Sequence, residues 1–357
     1  MPKPAITLEV LPAAFGDCLL ITCAGSRRDW RLLVDTGPDE TYPALRARLQ
    51  QIPKDAGGRR HIDLFVVTHI DHDHIGAARL LLNDRDLGLS FGDIWFNAPP
   101  RPATRGVAEG VGLALILGAS AATLPWNLAW SGKPVCTPAT AGGVELTGKG
   151  MPKLTLLSPT PDRLKALYSV WDKELERMRR KERSAAEADP AARRGAEPTL
   201  EELAARKTPI DAAVPNGSSI AFLLEHKGAS VLLGADAFPT VLVPAIRALL
   251  ARRGSSGRLK VDAFKLSHHG SRASVTSELM DLVDARHCIV STNNAYFGHP
   301  NDEAIARVIV KGGRPTIWFN YDTPKNRRWS ADALTAKYGH VSKYPDGITK
   351  GVVLNLP

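Results

Sequence analysis

The sequence predicts a layered α/β protein, and three observations carry that expectation. Apolar runs of strand length alternate with amphipathic stretches from Ile6 onward and again after Ser218. Apolar residues make up 44% and charged residues 23% of the chain, enough to build a full core with a solvated surface. Six of the ten histidines fall in three short segments, each directly after an apolar strand-like run, where α/β proteins place their chemistry. At 357 residues we expect one domain over 1–357, carrying a charged helical insertion at about 160–210.

The elements follow in order. Ile6 to Leu11, Cys18 to Cys23 and Arg31 to Val34 read as three short strands. Tyr42 to Ile52 has leucines at helical spacing, and Ile62 to Thr68 (IDLFVVT) reads as a buried strand. A helix is expected from about Ile75 to Leu82, and another over Ala108 to Ala122 within an Ala/Gly/Pro-rich stretch. Thr155 to Leu157 is a strand. From Pro161 to Ala188 the chain is charged and Ala-rich, as is a second helix opened by Pro198 and Thr199 with Glu201 and Glu202 in its first turn. Alternation then resumes. A hairpin joins Ser218–Leu224 to Ala229–Leu233 at His226-Lys227-Gly228, followed by helix Val241–Leu250, strand Val261–Leu266 and the loop Ser267–Ser271. Helix Ser274–Leu282, strand Cys288–Ser291, helix Asp302–Val310 and a last clear strand at Thr316–Phe319 complete the reading.

Composition narrows the function classes. Cys18, Cys23, Cys136 and Cys288 are scattered without a C-x-x-C pair, which excludes a structural zinc knuckle or redox pair and leaves small buried thiols. The start of the chain lacks the features of a signal peptide, and no apolar run reaches the roughly 18–20 residues of a membrane span, so a cytoplasmic protein away from the membrane is expected. A net charge of +9 favours anionic partners. In the insertion, Arg177, Arg179, Arg180, Lys181 and Arg183 are nearly balanced by Asp172, Glu174, Glu176, Glu182 and Glu187, which reads as a solvated helical face.

The segment Thr68-His69-Ile70-Asp71-His72-Asp73-His74-Ile75-Gly76 packs imidazoles and carboxylates into a few residues. Alternate side chains of an extended turn share a side, so His69, Asp71 and Asp73 converge and His74 joins them as the helix begins. Left alone, such carboxylates repel; a cation removes that cost and favours deprotonated ligands. This segment, the preceding Leu33-Val34-Asp35-Thr36-Gly37, the strand end Leu232-Leu233-Gly234-Ala235-Asp236 and the segment Gly298-His299-Pro300 together resemble the metallo-β-lactamase fold, whose signature is H-x-H-x-D-H. The resemblance covers most of the chain outside Pro99 to Ala213. It implies a four-layer αββα sandwich and two divalent metal ions, zinc or manganese with magnesium also compatible. It implies His69 and Asp71 at the first ion, Asp73, His74 and His299 at the second, Asp236 between them, and Asp35 holding the histidine loop by hydrogen bonds. Asp71 stands where the family usually has a second histidine, and Asn216 lies about where a third-motif histidine is expected. That makes the first site oxygen-rich, which shifts preference toward manganese or magnesium.

Four details resemble the hydrolase domain of ComEC-type DNA-uptake proteins: His69 to His74, Asn216 to Ser219, His268-His269-Gly270-Ser271, and Tyr296-Phe297-Gly298-His299-Pro300. Phe297 is an extra residue in the last motif, and Phe15 replaces a polar residue in the early Gly16-Asp17 turn. The resemblance implies a stand-alone phosphodiesterase or nuclease that cleaves DNA or RNA through a metal-activated hydroxide. Asp73, His268 and His269 are the candidate catalytic residues, and Lys265, Ser271 and Ser274 are candidate phosphate contacts. Two other classes stand beside it: a hydrolase of a small ester, thioester or lactam, and an effector subunit that works through a protein partner docked on the helical insertion.

Overall fold

The computed structural model describes residues 3–99, 113–114, 117, 124–138, 140–181, 198–347 and 351–357, and of residues 175–181 the backbone alone. Two sheets stack face to face. The first has six strands in the order β14-β1-β2-β3-β4-β5, built from β1 (Ile6–Val10), β2 (Leu19–Cys23), β3 (Trp30–Val34), β4 (Arg60–Val66), β5 (Leu89–Trp95) and β14 (Val352–Leu356). The second has eight in the order β13-β12-β11-β10-β9-β8-β7-β6. These are β6 (Val144–Leu146), β7 (Lys153–Ser158), β8 (Ala221–His226), β9 (Ala229–Leu233), β10 (Leu259–Lys265), β11 (Val283–Val290), β12 (Thr316–Phe319) and β13 (Val341–Lys343).

Burial explains why these segments pair as they do. Leu8, Leu19, Ile21, Leu32 and Leu64 from the first sheet meet Leu156, Phe222, Val231 and Ile289 from the second in one inter-sheet core. The opposite faces carry helices. On the first sheet, α1 (Tyr42–Gln50), α2 (His72–Ile75), α3 (Ala78–Asn83) and α4 (Pro161–Lys181) surround Leu33, Phe65 and Ile94. On the second, α5 (Leu200–Ala205), α7 (Pro239–Arg252), α8 (Ser277–Leu282) and α9 (Asp302–Lys311) cover Leu232, Phe264, Cys288 and Val290. Each buried aliphatic or aromatic side chain contributes about 1.5–3 kcal/mol, so cores on both faces of both sheets hold the layers. The fold is therefore a four-layer αββα sandwich. Short α6 (Val214–Gly217), α10 (Pro324–Arg327) and α11 (Asp332–Tyr338) complete the elements.

Several boundaries differ from expectation. The helix after the histidine loop is two pieces, α2 and α3, broken at Gly76-Ala77, where Gly76 is pressed so close that a Cβ would lie 2.8 Å from Pro38 Cα. Thr316–Phe319 is not the last strand, because β13 and β14 follow; β14 pairs with β1 in the register Ile6↔Leu356, joining the two ends of the chain. Of the helix expected over 108–122, residues 113, 114 and 117 are described and helical; the rest lies outside the described residues. In the charged segment, Leu167 and Trp171 of α4 enter the first helical core, whereas Leu200, Leu203 and Ala204 of α5 enter the second. Thr199 caps α5 in a reciprocal capping box with Glu202. Residues 182–197 and the side chains of 175–181, including the arginine cluster, lie outside the described residues.

What matters for the site is polarity. Strands β3 and β4 run parallel, as do β9, β10 and β11, so five carboxyl ends open toward one edge of the sandwich. Asp35 follows β3, the histidine loop β4, Asp236 β9, Ser267–Gly270 β10 and Ser291 β11.

Candidate metal centre

Four imidazoles point one nitrogen each into a common space, and their outer partners fix which nitrogen carries the proton. His74 Nδ1 lies 2.7 Å from Asp35 Oδ2, and His269 Nδ1 lies 2.9 Å from the Ser291 carbonyl oxygen. Both oxygens only accept, so both Nδ1 atoms donate and both Nε2 atoms face inward, His269 Nε2 toward Asp73 Oδ2 at 3.1 Å. His268 Nδ1 stands 3.0 Å from Asp211 Oδ2 and follows the same rule. His69 Nδ1 is 3.0 Å from Thr68 Oγ1, whose own hydrogen goes to Asp35 Oδ2 at 2.8 Å, leaving His69 Nδ1 to donate as well.

The inward Nε2 atoms of His74 and His269 are 3.2 Å apart. Two bare lone pairs at that distance repel, so the pair needs a positive charge, which is a proton when no metal is bound. Nitrogens on one tetrahedral ion with bonds of about 2.0–2.1 Å stand roughly 3.3 Å apart, so the observed spacing fits a shared ion. The carboxylates divide the space. Asp236 Oδ1 faces His74 Nε2 at 3.4 Å and His269 Nε2 at 3.9 Å, whereas Oδ2 faces His268 Nε2 at 3.6 Å and His69 Nε2 at 3.9 Å. Asp73 Oδ2 is 3.1 Å from His269 Nε2 and 3.8 Å from His74 Nε2; Asp71 Oδ2 is 3.8 Å from His69 Nε2. His69 Nε2 and Asp236 Oδ1 are buried and have no hydrogen-bond partner among the described residues, as atoms awaiting a cation would be.

Burial lowers all four imidazoles, and facing carboxylates outweigh it at His74, His268 and His269 but not at His69. Burial lowers His69 to about 3, keeping it neutral and ready to ligate. Burial also lowers His269, but Asp17, Asp236 and Asp73 outweigh it and raise the ring to about 9. Burial raises Asp73, and the facing His74 and His269 overcome this to hold it at about 2. A proton on His269 thus stands in for positive charge that a metal ion would provide.

The support around the centre is rigid. Asp35 accepts from Thr68 N at 2.7 Å, from the Thr68 hydroxyl and from His74, pinning the loop that carries both His69 and His74. Gly16 lies so tightly on this loop that a Cβ would sit 1.8 Å from Asp73 O, so only glycine fits. Asp35, Ala235, His268 and His269 all have positive φ, a strained backbone of the kind that clusters at functional sites.

Placed against the sequence expectations, His69, Asp71, Asp73, His74 and Asp236 meet at one centre, and Asp35 lies directly behind His74. His268 and His269, expected as catalytic residues, also turn their Nε2 atoms into this space, toward Asp236 and Asp73 respectively. His299 also borders this space: burial lowers its ring well below the usual value, and its Nδ1, like His69 Nε2, is buried without a hydrogen-bond partner among the described residues. Its ring packs 4.9 Å from the His268 ring and 6.5 Å from that of His269, at the margin of the centre. Lys265 is not a phosphate contact: it is 1% exposed, and its ammonium donates to Asp17 Oδ2 at 2.7 Å. Ser271 and Ser274 are buried too, since the turn after the 3₁₀ segment folds them inward, Ser274 N donating to Ser271 O. Asn216 is buried and donates to Asp211 Oδ2 at 2.7 Å, bracing the carboxylate that orients His268.

Two residues escaped the sequence reading. Asp17 sits between Lys265 and His269, with Oδ1 3.2 Å from His269 Nδ1, and Asp211 orients His268. The Gly16-Asp17 turn was a visible signal for the first; no motif surrounds Asp211. The remaining histidines lie apart: His72 Nε2 is 3.5 Å from Asp39 Oδ1, His226 bonds Ala24 O, His61 bonds Ser90, His287 accepts from Trp318 and His340 bonds Trp329 O. Cys18, Cys23 and Cys288 are buried free thiols, with Cys288 pushed up to about 12 by burial, and Cys136 is half-buried.

Comparison with known proteins agrees with the first half of the site. The family described as the metallo-beta-lactamase superfamily matches residues 12–107, which contain the Gly16-Asp17 turn, Asp35 and the whole histidine loop. No curated protein matches the sequence. Among solved structures, human tRNase Z, short form, has a TM-score of 0.45 at 10% identity, covering 99% of each chain. Zinc-bound PqqB from Methylobacterium extorquens has a TM-score of 0.44 at 13% identity, covering 98% of this chain and 100% of that one.

Proposed function

We propose that the chain is a metal-dependent phosphodiesterase that cleaves nucleic acid. The observation that carries this reading is the set of four inward Nε2 atoms facing three carboxylates at the carboxyl ends of parallel strands. One ion would be held by His69, Asp71, His268 and Asp236 Oδ2, and a second by Asp73, His74, His269 and Asp236 Oδ1. In that division His269 takes the place first given to His299, and each ion has two nitrogens and two carboxylates. The first site is then no richer in oxygen than the second, and such a donor set suits zinc or manganese. Bound ions of this kind supply an activated water and neutralise charge on a phosphodiester.

The chain's own residues do the positioning. Asp35, Asp211 and the Ser291 carbonyl hold three imidazoles in the tautomer that leaves Nε2 free. Asp17 and Lys265 form a buried ion pair beneath His269 and keep that ring from turning. A net charge of +9 favours a polyanionic substrate. The purified protein should cleave single- or double-stranded DNA, RNA or bis-para-nitrophenyl phosphate when given manganese or zinc. Asp236→Ala should lower the rate by about a hundredfold or more. If a β-lactam, thioester or lactone is turned over while every phosphodiester stays intact with all metals, a small-molecule hydrolase replaces this reading.

A further inference from the structure

Two departures from the family pattern, Phe15 in the early turn and the extra Phe297 in the last motif, lie far apart in sequence and meet at one side of the site. Phe15 packs against Tyr296 with ring centroids 4.2 Å apart, and Tyr296 lies 6.1 Å from Phe297. The series continues at both ends into the centre's own loops. Phe15 stands 6.5 Å from the His72 ring and Phe297 stands 6.0 Å from the His299 ring, which in turn touches His268.

The rings are held, not loose. Ala14 O accepts from Asn293 N at 2.8 Å and Ala14 N donates to Tyr321 Oη at 2.7 Å, so the Phe15 turn is tied to the loop carrying Tyr296. That loop is braced from within: Asn294 Nδ2 donates to His299 O at 2.8 Å and Lys325 Nζ donates to Gly298 O. Phe297 nevertheless has a positive φ of 56° and is 58% exposed. A bulky aromatic residue in this backbone region is uncommon, and here it presents a ring to solvent rather than to the core.

We propose that Phe15, Tyr296 and Phe297 form a stacking platform for an unpaired nucleobase next to the phosphodiester being cleaved, making the preferred substrate single-stranded. The inference rests on the phosphodiesterase reading above. Single-stranded nucleic acid is bound by combining positive charge with aromatic faces, because every base offers a flat π surface whatever its sequence. A base within a duplex has both faces covered and is available only if extruded. The platform lies along the rim from the histidine loop to His299, so a strand whose phosphate occupies the centre would lay its neighbouring base on these rings. An exposed ring held in a braced loop suits that role and contributes nothing to the core.

The test is equilibrium binding of a fluorescent single-stranded oligonucleotide to the full chain in chelator, so that no cleavage is needed. A duplex of the same sequence and single strands with one abasic position moved along the chain are compared with it. Wild type should bind the single strand more tightly than the duplex, and one abasic position should weaken binding by about fivefold to a hundredfold. In Phe297→Ala, which removes an exposed ring and leaves the core intact, that abasic penalty should fall below about twofold; Phe297→Trp should restore it. An abasic penalty unchanged in Phe297→Ala, a preference for duplex, or no binding of single strands overturns the platform. Metal-dependent cleavage of bis-para-nitrophenyl phosphate is measured separately. Cleavage without base-dependent binding sinks the platform alone, whereas base-dependent binding without cleavage of any phosphodiester sinks the hydrolytic reading alone.

Discussion

Asp35 shows how one side chain governs the chemistry of others. Its three accepted hydrogen bonds fix Thr68 and His74, and through the Thr68 hydroxyl they fix His69. Asp35→Ala should weaken metal affinity about tenfold to a hundredfold, measured by competition with a chromogenic chelator, with His74 the ligand set free to turn. Unchanged affinity would mean that the loop holds its shape without Asp35. The histidine loop was legible because the residues proposed as its ligands are adjacent in sequence. The proposed roles of His268 and His269 were not, because they depend on which nitrogen faces inward. That is set by Asp211 and the Ser291 carbonyl, residues far away in the chain that carry no motif.

At the level of elements, periodicity located most strands, but tertiary contacts decided the exceptions. Strand β5 was not read from the sequence, and it contains Gly92, where a Cβ would lie 2.5 Å from Asp63 O on the neighbouring strand. Strand β14 was invisible because its partner, β1, is at the other end of the chain. Asp63 itself ties β4 to the turn before β3, accepting from Arg28 Nη1 at 2.8 Å and from Arg31 N at 2.9 Å. Burial raises its carboxyl, but the neighbouring His61 at 3.6 Å and hydrogen bonds from Arg28 and Arg31 N outweigh burial and bring it down to about 2. A depressed carboxylate stabilises the fold above its unfolded value near 4 and loses that contribution as pH falls toward 2. Asp63→Asn should therefore cost about 1–2 kcal/mol at pH 7, allowing for solvent screening, and almost nothing near pH 2. Chemical denaturation across that range checks the sign, and a penalty that stays constant with pH would refute it.

Across the whole molecule, two stacked sheets bring five parallel strand ends to one edge, and residues more than 200 positions apart in sequence, such as Asp17 and Lys265, meet beneath the same centre. The alternation of strands and helices made the layered fold readable, and the resemblance supplied the four layers. Neither could show that Phe15 and Phe297 share one rim, because that follows only from how the sheets stack. Among the described residues no helix is long and apolar enough to cross a membrane. The account stands or falls on the metal centre, and the most direct measurement is metal content of the chain purified without chelator and equilibrated with manganese or zinc. We expect two ions per chain, falling to one or fewer in His269→Ala and Asp236→Ala while remaining two in His299→Ala. Fewer than one ion per chain with excess metal, or a loss in His299→Ala with none in His269→Ala, would contradict the ligand set described here.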